Sequence, residues 1–464
     1  MAFNVLSQPT EDELHSVKLP VIFEIEDTTN TGEPKFRYVL RVKDGSTVLA
    51  VIKQTPNTND IGVFDISHIL LDYIEQTRVL AEGYTVIQAG NQSNQLLHLN
   101  QGDLVSFNID LGVSYATDAD SAPTVTYNDS DNVVIGMVVP GSARGLRDYG
   151  QEDRVWNPTS GAVATQPIAS VSSAFGWLTE RTQTSTKTTL FGSAKACKVQ
   201  TLKNAPLPIA FLVGDNATYD FGSRVGQLQV KVLDGSLATH TATFIPGAGS
   251  EPGDTYDNVN SDDEALLYAG LGREQLVLQV DQGVNFNGAI GSAEAWEFCF
   301  YDTDGTTARS IVYQVEQLDE RCMGGDTWQV YWRNRFGGID CLPMRGKNTQ
   351  SLEVTRETYR QIQGNTNTAS SSTRFDYLAT EGGTTVYRSE SMRKLELMTT
   401  YLQEWDSILV ESLVASREVW LYSSDLDGIV AATCDDKSVP FKRTATDGQF
   451  SYTLRFTLNH KQHA

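Results

Sequence analysis

Three places in the chain set an Asp-Gly pair between runs that alternate apolar and polar residues, and no other feature restricts the fold as much. Lys35 to Lys43 (KFRYVLRVK) leads into Asp44-Gly45, and Ser46 to Lys53 (STVLAVIK) follows. Arg224 to Ile245 repeats the order, with QLQVKVL, then Asp234-Gly235-Ser236, then LATHTATFI. Trp296 to Tyr301, Asp302 to Gly305 and Ser310 to Val315 (SIVYQV) make the third. An alternating run places successive side chains on opposite faces of a strand. Glycine accepts the positive φ of a tight hairpin turn. VLRVKDGSTV and VKVLDGSLAT read either as a duplicated module or as two independent uses of one turn.

Further strands are expected at Leu104 to Val113, Asn132 to Val139, Pro208 to Val213, Gln275 to Val280, Thr327 to Trp332 and Ser351 to Tyr359. A last one, Phe450 to Leu458 (FSYTLRFTL), alternates close to the C-terminus. Helical spacing is rarer. It marks Asp65 to Gln76 (DISHILLDYIEQ), with Asp65 or Ser67 as cap, a short turn at Asp262 to Ala269, and Met398 to Leu409, where Leu402, Trp405 and Leu409 share a stripe. The expected fold is mainly β: several β-sandwich or barrel modules with long loops and a few short helices. At about 150 residues per domain, the length suggests about three domains. The expected division is an N-terminal β-rich domain (1–140), a long loop or linker region (141–200), a central β domain with the later Asp-Gly hairpins (201–345) and a C-terminal β domain (346–464). Leu146 to Ser185, Gly247 to Asp263 and Gln363 to Ser372 are long polar stretches, and loops of that length usually make contacts.

Charge and composition exclude several functions. Lys plus Arg total 36 against 58 Asp plus Glu, a formal charge of −22. Specific or coating contact with nucleic acid needs a basic surface, and so does binding to an anionic membrane. Apolar runs such as Val133 to Val139 (VVIGMVV) are far short of the roughly 20 residues of a spanning helix. The first residues (MAFNVLSQPTEDELHS) carry no basic stretch followed by an apolar one, so no signal peptide is expected. The five cysteines, Cys197, Cys299, Cys322, Cys341 and Cys434, are widely spaced with no CxxC. They read as reduced, mostly buried thiols of a chain made in a reducing cytoplasm, not as a disulfide framework or zinc site.

No catalytic constellation emerges, and no cofactor is expected. GxSxG, HExxH and SxxK with its partners do not occur. Arg345-Gly346-Lys347-Asn348 lacks both the leading glycine and the hydroxyl residue of a phosphate loop, and Gly247-Ala248-Gly249 lacks the third glycine of a dinucleotide fingerprint. The six histidines are scattered, with only His460 and His463 close together. The acidic pairs Asp129/Asp131, Asp302/Asp304 and Asp425/Asp427 read as turns, since no bidentate Glu follows at the spacing of a calcium loop. The chain is expected not to be an enzyme.

TWQVYWRNRFGGIDCLPM (Thr327 to Met344) is the densest aromatic segment. As a strand it turns Trp328, Val330 and Trp332 one way and Gln329, Tyr331 and Arg333 the other. It reads either as a core strand ending in a turn or as a subunit-interface anchor, because Trp, Tyr and Arg are enriched at interfaces. The interface candidates are Trp328, Tyr331, Trp332, Asn334, Arg335 and Phe336.

Two segments resemble virion structural proteins of tailed phages, the crAss-like and related marine phages among them. They are GVFDISHILLDYIEQ (Gly62 to Gln76), with the hairpin before it, and YWRNRFGGID (Tyr331 to Asp340). The closing strand FSYTLRFTL fits the same group. The resemblance implies a neck, collar, tail-ring or tail-hub component of the virion, assembled in the host cytoplasm, without enzymatic activity. Its implied partners are copies of itself in a homo-oligomeric ring and other virion proteins such as portal, adaptor or tail components.

Independent physical arguments point the same way. Closed rings repeat one heterologous contact around an axis, which suits a β-rich chain with long contact loops. The polar arm Met1 to Val17 would order against a neighbour, and an acidic lumen would repel passing DNA. Two other readings stand beside this one. A receptor- or carbohydrate-binding spike would stack sugars on Trp156 and Trp177, and a tail-associated glycan hydrolase would need two carboxylates across a cleft.

Overall fold

The computed structural model describes residues 3–8, 15–16, 20–73, 97–100, 105–127, 133–139, 181, 189–193, 196–203, 205–213, 227–234, 236–244, 265–277, 284–301, 305, 308, 310–318, 327–334, 338–360, 365–367, 374–376, 383–402, 406–423, 428–440, 442, 450–458 and 462–463. Strands account for 58% of the described residues and helices for 11%, so the chain is mainly β and built from several sheets.

The first hairpin forms as expected. Arg37–Asp44 pairs antiparallel with Thr47–Gln54, closing at Asp44 opposite Thr47, and Gly45 takes φ +54° in the turn. Arg37–Asp44 also pairs with Val105–Tyr115, which carries Val133–Val139 on its other side. A three-stranded sheet of Phe3–Ser7, Ile22–Asp27 and Ile61–Asp65 faces this one. Phe23, Ile25 and Phe64 of the small sheet share a core with Tyr38, Leu40, Ile109 and Leu111 of the large one. Tyr38 joins the layers: its hydroxyl donates to the Asp60 carbonyl and accepts from the Asp27 N–H. Its ring lies so close to Gly62 that a Cβ there would sit 2.5 Å from it. Helix Ser67–Tyr73 follows, begun by Asp65, whose carboxylate accepts from the Ser67 N–H at 3.0 Å. Ile66 and Leu70 seat that end of the chain in the same core.

The second and third hairpins lie in a five-stranded sheet ordered Ala196–Leu202, Val312–Leu318, Ala295–Tyr301, Gln227–Leu233, Thr239–Phe244. The second turn differs from the first. It spans Asp234 to Ala238, Leu237 takes φ +65°, and the Asp234 carboxylate accepts from the Ser236 and Ala238 N–H groups. Beside this sheet, Pro208–Val213, Ala265–Gly270 and Leu97–Asn100 form a smaller one.

Three sequence expectations are corrected, and two elements stand where none is expected. Asp262 to Ala269, expected as helix, overlaps strand Ala265–Gly270, because neighbours hydrogen-bond to it on both edges. Gln275 to Val280, expected as strand, begins inside helix Arg273–Val277. There the buried Gln275 side chain accepts from the Gly272 and Leu207 N–H groups. The helix expected at Met398 to Leu409 is Ser407–Ala415; Met398 still belongs to a strand, and Leu402 bridges to Phe450. Val284–Ser292 is a helix that no clear periodicity announces. The polar tip Gln363 to Ser372 contains Asn365–Asn367, which pairs with Arg374–Asp376.

The C-terminal sheet runs Ile339–Met344, Trp328–Arg333, Val419–Tyr422, Ile429–Cys434, Thr453–Leu458, Thr384–Met398, Thr349–Arg360. Its pairing crosses the expected boundary at 346. Trp328–Met344 lies in the same sheet as the strands after it, and the Gly346 N–H donates to the Met398 carbonyl. Likewise Leu97–Asn100, from the first 140 residues, pairs with Ala265–Gly270 of the central segment. Both faces of the C-terminal sheet are covered near Trp328–Arg333. Tyr331, Cys341, Trp420 and Tyr422 enter the core of the central sheets, and Trp328, Val330, Trp332 and Leu421 pack toward helix Ser407–Ala415.

Candidate assembly surface

The aromatic segment singled out from sequence lies inside the molecule. Its alternation is as expected, with Trp328 and Trp332 on one face and Tyr331 on the other. Trp328 is 1% exposed, and Tyr331, Trp332 and Asn334 are 0% exposed. The Tyr331 hydroxyl donates to the Pro206 carbonyl at 2.6 Å, and Trp332 Nε1 donates to Ser412 Oγ at 3.1 Å. Asn334 builds the turn after the strand: its Oδ1 accepts from the Gly338 N–H and its Nδ2 donates to Asp340. The interface role expected for Trp328, Tyr331, Trp332 and Asn334 is therefore corrected to a core role. Neighbouring strands on both edges and packed layers on both faces leave these side chains no path to another subunit. Arg335 and Phe336 lie outside the described residues, as do Trp156, Trp177 and the three acidic pairs.

Behind the strand lies a buried polar centre. The Arg181 guanidinium donates to the Cys341 carbonyl and stands 3.9 Å from Asp340. Cys197 and Cys341 flank it. Burial pushes the Cys197 thiol up to about 12 and the Cys341 thiol up to about 11. Both are protonated at neutral pH, and a protonated thiol is a poor nucleophile and metal ligand. Among the described residues no group of three or more His, Cys, Asp or Glu is placed to hold a metal ion, and no helix is long and apolar enough to cross a membrane.

The surface that stands out is at the other end of the same sheet. Thr349–Arg360 and Thr384–Met398 pair over twelve positions. Among the described residues, further strands join this ribbon at its base alone, with Lys394–Met398 pairing to Thr453–Leu458 and Glu390 and Ser391 to the terminal Gln462–His463. Beyond that, the two strands continue as an arm with no third strand beside them among the described residues. Every residue of Thr349–Arg360 is exposed except the half-buried Val354. Leu352 is 61% and Tyr387 62% exposed, with Tyr359 and Val386 close behind.

The ladder fixes which side chains share a face, because residues opposite one another in an antiparallel pair point the same way. One face carries Glu353, Glu357 and Tyr359 with Arg388, Glu390 and Lys394. Its charges are matched within the arm: Lys394 meets Glu353 at 2.5 Å, Arg388 pairs with Glu390, and the Tyr387 hydroxyl donates to Glu357 at 2.5 Å. Glu353 holds the Lys394 ammonium above its ordinary pKa, and Glu357 does the same to the Tyr387 phenol. A bulge puts the extra residue, Tyr387, on this face, 6.2 Å from the ring of Tyr359. The opposite face carries Leu352, Val354, Arg356 and Arg360 with Val386 and Arg393. The sequence predicts a strand at Ser351 to Tyr359 but gives no sign that it is exposed along its length. The available signal was a run of charged and hydroxyl residues with few apolar ones. Compared with known families and with curated proteins, the sequence matches no family model and no curated protein.

Proposed function

We propose that this chain is a structural component of a tailed-phage virion that assembles by subunit packing into a portal-proximal ring, collar or tail hub, with no enzymatic step of its own. The observation that carries the packing role is the arm. A two-stranded ribbon is marginally stable alone in water, and covering its large exposed apolar side chains is favourable. Leu352, Tyr359, Val386 and Tyr387 are such side chains on such a ribbon. The resemblance of Gly62 to Gln76 and Tyr331 to Asp340 to phage virion proteins supplies the rest of the reading. Its neighbours in the particle are copies of itself and portal, adaptor or tail proteins.

The test is native mass by light scattering across a concentration series, followed by electron imaging of any large species. Rings of many copies are expected. A trimer with glycan binding would replace the ring by a spike, and cleavage of capsule or peptidoglycan by the purified chain would replace it by an enzyme.

A further inference from the structure

We propose that the arginine-bearing face of the arm docks on the acidic surface of a second copy of this chain; this rests on the assembly reading above and names its contact. The charge distribution argues for it. Residues 349 to 398 hold six Lys or Arg and six Asp or Glu, so the entire −22 resides in the rest of the chain. The arm is a neutral part of a strongly acidic molecule, and its charge is divided between two faces. On one face the bases Lys394 and Arg388 are matched to Glu353 and Glu390 within the arm. The other face carries Arg356, Arg360 and Arg393 with no carboxylate among its ladder positions. All three arginines are exposed, and none forms an ion pair among the described residues.

Copies that each carry −22 repel one another unless a positive surface meets a negative one. The arginine face is such a surface, and the body of the next copy is its complement. The contact is heterologous, arm to body, which is the kind that repeats around an axis and closes rings. A protein partner fits better than nucleic acid. Leu352, Val354 and Val386 lie between the arginines, and apolar side chains interleaved with Arg are the composition of a protein interface. The aromatic rings that would stack on bases, Tyr359 and Tyr387, are on the opposite face.

The experiment is sedimentation of the full chain and of R356E/R360E/R393E over a range of concentration, with melting curves for both. The three side chains are exposed, so the variant is expected to melt as the parent does while its self-association weakens about 100-fold, as reversed charges at a contact rim add repulsion to lost attraction. R388A/K394A, on the matched face, should assemble like the parent. Photocrosslinking from benzoylphenylalanine at position 352 should yield a covalent dimer. If the triple variant assembles like the parent, the docking face is overturned while the ring reading stands. If the parent is monomeric at every concentration, both fall. If the parent binds a labelled DNA duplex through these arginines and does not self-associate, the partner is nucleic acid and the proposal is overturned.

Discussion

Trp332 illustrates how a residue's chemistry can be read correctly and its place in the molecule misread. A Trp flanked by Tyr and Arg has interface composition, yet its indole is sealed between the C-terminal sheet and helix Ser407–Ala415 and donates to Ser412. Trp332→Ala should cost about 3–5 kcal/mol in chemical denaturation, the range for emptying a large buried site. Loss of folding, not selective loss of assembly, is the expected result. The buried thiols give a second outcome at this scale. Cys197 and Cys341 are raised by burial from 9.0 to about 12 and about 11, so the native state keeps protons that the unfolded chain releases. Their contribution is complete below pH 9 and is lost as pH rises through 11 to 12. The urea midpoint should therefore fall above pH 9. Neither thiol should react with a thiol reagent at pH 8 until the chain unfolds.

At the scale of elements, hairpins were legible because their determinants are local. Alternation and a turn glycine lie within a few residues of each other, and Gly45 does adopt the left-handed conformation. A Cβ at Gly45 would meet nothing within 4 Å, so Gly45→Ala should cost about 1 kcal/mol through backbone strain alone, read as a drop in melting temperature. The elements that were misread have long-range causes. Ala265–Gly270 is a strand because Pro208–Val213 and Leu97–Asn100 flank it, and no window around it contains those partners. Helix Ser407–Ala415 begins late because the preceding strand extends to Met398 to pair with Thr453–Leu458. The outer arm is the converse case, a paired strand that no layer covers among the described residues. Replacing residues 353–392 with Asn-Gly keeps the closing pair of Leu352 with Arg393 and removes no member of the buried clusters. The shortened chain should melt within a few degrees of the full one and fail to assemble.

At the scale of the whole molecule, the central and C-terminal parts are joined by their cores. Tyr331, Cys341, Trp420 and Tyr422 lie in the cluster formed by the central sheets, and Gln329 accepts from the Leu202 N–H across the layers. Calorimetry should show these parts unfolding in one transition, and a chain cut at 345 should not fold, since Trp328–Arg333 would lose its partner Val419–Tyr422. The sequence by itself determined the β class, the hairpins, the alternation of the aromatic strand and the acidic balance, because each follows from neighbouring residues or from composition. Only the tertiary structure decided that the aromatic strand is sheathed on both faces and that Thr349–Arg360 is exposed along its length with its arginines on one side. Burial depends on which distant segments arrive to cover a strand, and a strand's own residues do not encode that arrival.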